Sequence, residues 1–274
     1  MDILYEVADS LRLLREKRPL IHHITNYVTI NDCANVTLGI GASPVMAEDV
    51  DEVEEMVSFA SGLVLNMGMP NPRKLEAMIV AGKQAAHMGI PIVFDPVGVG
   101  ATRLRIDAAN RILDELQVSV IRGNLAEIKA LTGLRGDIKG VDSMEQEEYS
   151  WDIVQRLSAR VGCVVAVTGK TDVVASSSHV CSIHNGHAML AGITGTGCMT
   201  TSLIACFCSV TKDSFVGTVA GIATMGIAGE LAQRSLKDHE GLGTFRVRLF
   251  DAIATMNPET LIQMIRSDYL TIRS

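Results

Sequence analysis

Apolar positions along the 274-residue chain fall into two kinds of run that alternate. Ile3, Leu4, Val7, Leu11 and Leu14 recur at helical spacing, so Asp2 to Lys17 is predicted as an amphipathic helix, stopped by Pro19. Leu20 to Thr25 is a short apolar run that predicts a strand ending in Asn26-Tyr27. Asn31 to Ile40 predicts a helix closed by Gly39 and Gly41, followed by a turn at Ser43-Pro44-Val45-Met46. Acidic Asp49 to Ser58 predicts a helix, and Gly62 to Asn66 a buried strand ended by Gly68.

From here a unit repeats. Helices at Pro72 to Gly89, Arg105 to Leu116, Leu125 to Leu131 (with Gly133 beyond it) and Trp151 to Arg160 alternate with strands at Ile90 to Phe94, Val118 to Ile121 and Cys163 to Val167. Strands that are apolar throughout are buried on both faces, which predicts a mainly parallel α/β sheet with helices on both sides. Ligands of such sheets bind beyond the carboxyl ends of the strands. The polar or glycine-rich tips at Asp95, Arg122 and Thr168 are therefore candidates for one shared site. Asp172 to Ser176 and His179 to Ile183 alternate around Ser177-Ser178, as an edge hairpin does. Helices are predicted at Thr200 to Val210, Asp213 to Gln233 and Thr244 to Ile265. Charged Leu134 to Glu148 is the expected exposed insertion, and with no linker or solenoid repeat the expectation is one domain spanning residues 1–274.

Composition narrows the function classes. Apolar residues make up 47% and charged residues 20%, which places the chain among globular proteins and not among disordered ones. A net charge of −7 with no basic cluster argues against a nucleic-acid partner. No unbroken run of about 20 apolar residues argues against a membrane span; Ser214 to Gly229 is shorter and rich in Gly and Thr. The first residues carry Asp2, Glu6 and Asp9 and no apolar signal-peptide core. Six cysteines without CxxC spacing fit free thiols in a cytoplasmic protein.

The stretch with the most chemical content is Gly192-Ile193-Thr194-Gly195-Thr196-Gly197-Cys198-Met199, which opens the apolar helix at Thr200. Its glycines permit close backbone approach, and the amides at a helix start, here Gly195 to Cys198, form an anion site. Cys198 falls on the first turn. A small buried hydrophobe is the common fate of a free cysteine, whereas a helix N-terminus is expected to lower its pKa from roughly 8.5 and favour a thiolate. No GxxxxGK[ST] sequence exists, so a P-loop kinase is excluded.

Several segments together resemble the hydroxyethylthiazole kinases, the thiazole-salvage enzymes of thiamine biosynthesis, within the ribokinase-like group. They are His23-Ile24-Thr25-Asn26-Tyr27-Val28, Gly41 to Met46, Leu65-Asn66-Met67-Gly68, Phe94 to Gly100, Arg122-Gly123-Asn124 with Glu127, Val167-Thr168-Gly169 and Gly195-Thr196-Gly197-Cys198. The resemblance implies a ribokinase-like fold and ATP-dependent phosphorylation of the alcohol of 4-methyl-5-(2-hydroxyethyl)thiazole. It implies thiazole contacts at Met46 and Gly195, nucleotide contacts at Arg122 and Thr168, and a place for Mg²⁺ and phosphate at Asp95 and Glu127. It also implies a homotrimer with sites near subunit interfaces. Cys198 stands where the sugar kinases of the wider group carry an aspartate base, and is the expected catalytic residue, acting on the acceptor alcohol as its general base or as a positioning group.

Each position also has a plain structural reading. Asp95 before Pro96 can initiate a turn or offer a strand-end carboxylate to Mg²⁺. Glu127, three residues after Asn124, can cap a helix, face the metal, or do both. Arg122 at a strand tip is placed to clamp phosphates bidentately, and Thr168 offers a hydroxyl beside it. Met46 suits a wall for a small aromatic heterocycle, as it suits any core. Asn26 either lines the same pocket or satisfies loop backbone. The amides from Gly195 through Gly197 to Cys198 are positioned for the γ-phosphoryl group. His22 and His23 are adjacent in a strand and point to opposite faces, so they do not chelate one ion. A nucleotide-dependent dehydratase or a pyrimidine kinase on the same architecture is the first competing reading, and a non-catalytic binding protein the second. Thr25-Asn26-Tyr27 and Ser43 to Met46 argue against the former; intact Asp95, Arg122, Glu127 and Cys198 argue against the latter.

Overall fold

A computed structural model describes residues 3–133 and 143–271. The chain begins with α1 (Ile3–Lys17), β1 (Leu20–Ile24), α2 (Ile30–Ile40), β2 (Ser43–Val45), α3 (Val53–Val57) and β3 (Gly62–Asn66). Next come α4 (Pro72–His87), β4 (Ile92–Asp95), α5 (Arg103–Glu115), β5 (Val120–Asn124), α6 (Leu125–Thr132), α7 (Ser143–Val161) and β6 (Val164–Thr168). Then follow β7 (Asp172–Ala175), β8 (His179–Ile183), a 3-10 turn at Ala188–Gly192, α8 (Thr196–Cys208), α9 (Ser214–Arg234), α10 (Leu242–Thr255), α11 (Pro258–Met264) and β9 (Ser267–Thr271).

Among the described residues the strands form a single nine-stranded sheet in the order β2-β1-β3-β4-β5-β6-β7-β8-β9. Pairings from β2 to β6 are parallel, and those from β6 to β9 are antiparallel. Side chains alternate across the sheet with the period of two that strands impose. Val64 and Val93 face a core shared with α1, α2, α8, α9 and α10, whereas Leu63, Leu65, Ile92 and Phe94 face a second core with α4, α5 and α7. Both faces are thus covered, as the continuous apolar strands require.

Several boundaries differ from the sequence expectation, each for a physical reason. Ser43-Pro44-Val45 is a strand and not a turn; it lies at the edge of the sheet, where Pro44 loses no ladder hydrogen bond. The single helix expected over Thr244 to Ile265 is two helices. Met256 closes the first and Asn257 caps α11, accepting from the Thr260 amide at 2.8 Å, with Pro258 in the first turn. β9 is polar and exposed, carries no strand pattern, and exists because it pairs with β8, more than eighty residues earlier. It displaces the β7–β8 hairpin from the outermost position. The helix expected over Asp49 to Ser58 contracts to α3, and α7 begins earlier than Trp151. The insertion expected at Leu134 to Glu148 lies partly outside the described residues, and from Ser143 its backbone is helical.

α9 is long and apolar enough to cross a membrane by length and composition, more so than the shorter run noted in the sequence; 94% of its apolar window is buried in this fold. It packs on α8 at close range through glycine. A Cβ on Gly217 would meet Cys208 Sγ at 2.7 Å, and one on Gly221 would meet the backbone N of Ile204 at 2.6 Å. Backbone contact this close holds α8 rigidly, and α8 carries Cys198 into the site.

Candidate active site

The carboxyl ends of the parallel strands lie in register, so their polar tips gather on one edge. Asn66 pairs with Asp95, and Asn124 with Thr168. The amino end of α8 abuts the same edge. No side chain caps α8, and the amides of a first helical turn have no partner within their own helix. Gly195 sits in the left-handed region, at a φ of 91°, with Thr29 so close that an added Cβ would meet its Cγ2 at 2.5 Å. Only glycine fits there without strain.

Around this edge runs a connected set of side chains. Asn66 Nδ2 donates to Asp95 Oδ2 at 3.0 Å and lies 3.2 Å from Cys198 Sγ. Asn26 Nδ2 donates to Asn66 Oδ1 at 3.0 Å and reaches Cys198 Sγ at 3.5 Å. Thr201, one turn beyond Cys198 on α8, donates to Asp95 Oδ2 at 2.8 Å. Arg122 Nη1 stands 3.7 Å from Asp95 Oδ2, while Nη2 donates to Thr168 Oγ1. The same guanidinium lies over Gly197, where an added Cβ would meet Nη1 at 2.6 Å. Glu127 forms a capping box with Asn124, and its other oxygen accepts from the Gly98 amide at 2.8 Å. The capping reading of Glu127 is thus the one these contacts show, with both carboxylate oxygens accepting backbone amides. Met46 follows β2 half-buried, at the end of the sheet nearest Asn26.

All nine residues singled out in the sequence thus lie at or beside one edge of the sheet. Three that were not singled out complete the framework. Asn66 is the hub between Cys198 and Asp95, and Thr201 anchors the carboxylate. Arg105 pins two strand-end loops, donating to the carbonyls of Met67 at 2.9 Å, Gly68 at 2.8 Å and Val97 at 2.6 Å. The sequence signal for Asn66 was a polar residue closing an otherwise apolar strand; Thr201 and Arg105 carried none. His22 and His23 make separate contacts, Nε2 of the former with the Ala47 carbonyl at 2.8 Å and Nε2 of the latter with Ser202 Oγ at 3.1 Å. Burial lowers both pKa values, that of His23 to about 4, which keeps them neutral packing groups. A concavity of about 520 Å³ opens at the opposite edge of the sheet, beside Gly89, Ser119, Cys163 and Ser177. Among the described residues no charged side chain lines it, so they offer nothing to hold a polyphosphate.

The family model for the hydroxyethylthiazole kinase family matches residues 11–259. The chain belongs to the hydroxyethylthiazole kinase family. It is 49% identical over 255 residues to the hydroxyethylthiazole kinase of Ruminiclostridium cellulolyticum, covering 92% of this chain and 93% of that one. It is 47% identical over 262 residues to that of Alkaliphilus oremlandii, covering 95% and 97%. The solved structure of a hydroxyethylthiazole kinase protein from Pyrococcus horikoshii superposes with a TM-score of 0.88 at 35% identity, over 97% of this chain and 99% of that one. A ribokinase-like superfamily protein from Enterococcus faecalis shares the fold at a TM-score of 0.64 and 14% identity, over 89% and 93% of the chains. The fold is ribokinase-like, as expected.

The electrostatics of this candidate site overturn one expectation. The Cys198 pKa is raised, not lowered. Burial of the sulfur dominates, and the Asp95 charge adds to it; contacts with Thr29, Asn66 and Asn26 oppose the shift without reversing it. Cys198 is therefore a neutral thiol near pH 7. Asp95 is fully buried, and desolvation pushes its pKa up to about 6 against the pull of Arg122 and the hydrogen bond from Thr201. Its second oxygen, Oδ1, is buried without a partner, as is Arg122 Nε. Among the described residues no cluster of three or more His, Cys, Asp or Glu side chains could hold a metal ion by itself. Two carboxylates, one with an unsatisfied buried oxygen, fit a hard divalent ion that keeps water and takes its remaining ligands from a substrate phosphate.

Proposed function

We propose that this chain, as one catalytic domain, transfers the γ-phosphoryl group of ATP to the hydroxyl of 4-methyl-5-(2-hydroxyethyl)thiazole, in thiamine salvage. The observation that carries the reading is the convergence of Cys198, Asn66, Asp95, Arg122 and Thr168 on the amide-rich start of α8. Membership of the kinase family gives that convergence its chemistry.

In this reading Asn26, Met46 and Gly195 hold the thiazole, with its hydroxyl against Cys198 Sγ. Arg122, Thr168 and the Gly197 amide hold the nucleotide phosphates, the guanidinium turning from Thr168 and Asp95 towards the incoming charge. Asp95 and Glu127 would hold Mg²⁺, which would supply neutralisation of phosphate charge. Phosphoryl transfer passes through a loose transition state, so positioning and charge neutralisation dominate and little basicity is needed at the acceptor. A neutral thiol is sufficient there. Cys198 orients the hydroxyl, and the Gly195 to Cys198 amides receive charge developing on the transferred group. As the acceptor oxygen bonds to the γ-phosphorus, the bond from that phosphorus to the β–γ bridging oxygen breaks and ADP leaves, and the hydroxyl proton passes to a non-bridging oxygen of the transferred phosphoryl group.

Tyr27 and Val28, 56% and 66% exposed, directly follow Asn26, and Leu38, Leu242 and Val247 add further exposed apolar surface on α2 and α10. This supports an active homotrimer with sites near the subunit interfaces, measurable by sedimentation. Six free cysteines and a nucleotide co-substrate support a cytoplasmic location.

The deciding experiment is transfer of label from Mg-ATP to hydroxyethylthiazole, with hydroxymethylpyrimidine and ribose as parallel acceptors. Selective labelling of the thiazole, lost on chelation of the divalent ion, is expected. Thiazole binding with no transfer to any acceptor would leave a binding protein instead.

A further inference from the structure

Lys74 breaks two local rules. It occupies the first turn of α4, where the helix dipole opposes a cation, and only 3% of its surface is exposed. Such a placement persists only when specific partners compensate. Lys74 has three. Nζ pairs with Glu48 Oε2 at 2.8 Å, donates to the Thr25 carbonyl at 2.9 Å, and sits 4.2 Å from the centroid of the Tyr27 ring. The triad closes on itself, because the Tyr27 hydroxyl donates to the other Glu48 oxygen. That contact and the Glu48 charge raise the Tyr27 pKa and keep the phenol protonated.

What the three partners hold is informative. Thr25 and Tyr27 flank Asn26, and Glu48 lies two residues after Met46, so one ammonium ties both segments to α4. The Met46–Glu48 segment is held a second time where the Ala47 carbonyl meets His22. We propose that Lys74, Glu48 and Tyr27 form a latch that sets the spacing of the two walls of the acceptor pocket, with Lys74 as a positioning residue for the acceptor substrate. The inference rests on the kinase reading in which Asn26 and Met46 contact the thiazole. The latch has no contact with Arg122 or Thr168, so its effect is confined to the acceptor side.

The test compares wild type with Lys74→Met, Tyr27→Phe and the double variant Lys74→Met/Glu48→Leu. Readouts are KM for hydroxyethylthiazole, KM for ATP, kcat, calorimetric affinity for the thiazole alone, and melting temperature. Lys74→Met is expected to raise the thiazole KM and Kd by roughly tenfold or more, the change that goes with losing a charge-assisted hydrogen bond, while KM for ATP stays within about twofold. Tyr27→Phe keeps the ring over the ammonium and is expected to show a smaller rise. The double variant removes the carboxylate that Lys74→Met deprives of its cation, so its melting temperature recovers while its thiazole affinity stays weak. Thiazole affinity that recovers together with melting temperature makes the triad a fold tie only and overturns the proposal. So does an equal rise in both KM values, or no rise. Wild type that binds the thiazole without transferring phosphate sinks the kinase reading, while the Kd comparison still decides the latch. Wild type that neither binds nor transfers overturns both.

Discussion

Replacing Asp95 by Asn should make this protein more stable at neutral pH while abolishing its activity. Asp95 has no exposed surface, and its pKa rises from 3.8 to about 6 on folding, chiefly through desolvation. Two pH units and a little more, at about 1.36 kcal/mol each, come to about 3 kcal/mol. Because the folded value lies above the unfolded one, the native state holds the proton more tightly. The penalty is absent below pH 4, grows as pH rises from 4 to 6, and is complete above 6. Asn mimics the protonated acid in shape: its carbonyl oxygen can accept from Thr201 and Asn66 as Oδ2 does, and its amide takes the place of Oδ1, which has no partner to lose. The attraction of Arg122 is already contained in the value of about 6, so no further correction is due for that pair.

The assay is urea denaturation of wild type and Asp95→Asn at several pH values between 4.5 and 8 and at one protein concentration, taking the difference at each pH so that all other titrating groups cancel. Asp95→Asn is expected to exceed wild type by about 3 kcal/mol at pH 8, with the gap shrinking as the pH falls through 6 to about 1 kcal/mol at 4.5. A constant difference across this range would refute the reasoning, since it would mean that the buried carboxylate is not what titrates. A less stable variant at pH 8 would refute it too, by showing that the Arg122 pair outweighs desolvation. Loss of transfer with gain in stability would identify Asp95 as a strained group kept for chemistry.

Cys198→Ser should retain activity to within about a hundredfold, below the usual loss for a general base, with an unchanged pH–rate profile above pH 7. A profile whose alkaline limb shifts on substitution would restore the base role. Gly197→Ala puts a methyl group 2.6 Å from Arg122 Nη1, at the far end of a flexible side chain. It should therefore fold normally, raise KM for ATP several-fold and leave the thiazole KM unchanged in steady-state assays. Gly221→Ala instead meets the backbone of Ile204. α8 and α9 must then separate, at a cost of about 1–3 kcal/mol by denaturation and with a lower kcat, because α8 carries Cys198.

The parallel half of the sheet was legible because strands buried on both faces leave uninterrupted apolar runs, and β3, β4, β5 and β6 all do. β2 and β9 were not, since an edge strand can hold Pro44 and an exposed one can be polar throughout. Their existence depends on partners that local sequence does not name. The same division applies to the site. Asp95, Arg122 and Thr168 could be placed together because topology alone puts strand tips on one edge. The role of Asn66 depends on its pairing with Asp95, and that of Thr201 on how α8 is rotated against the sheet.

Cys198 shows the limit most sharply. A helix N-terminus, read locally, predicts a lowered pKa, and that prediction is correct for an exposed thiol. Here the same glycine-rich turn that presents the amides also lets α8 dock onto the sheet, leaving the sulfur half-buried against Asn66 and within reach of the Asp95 charge. Burial and a neighbouring charge, both products of tertiary packing, outweigh the dipole. A cysteine tolerates that placement as a neutral group. A second carboxylate sharing the Asn66 donor with Asp95 would be forced to hold a proton in common with it, so the residue type at 198 and the buried Asp95 constrain each other.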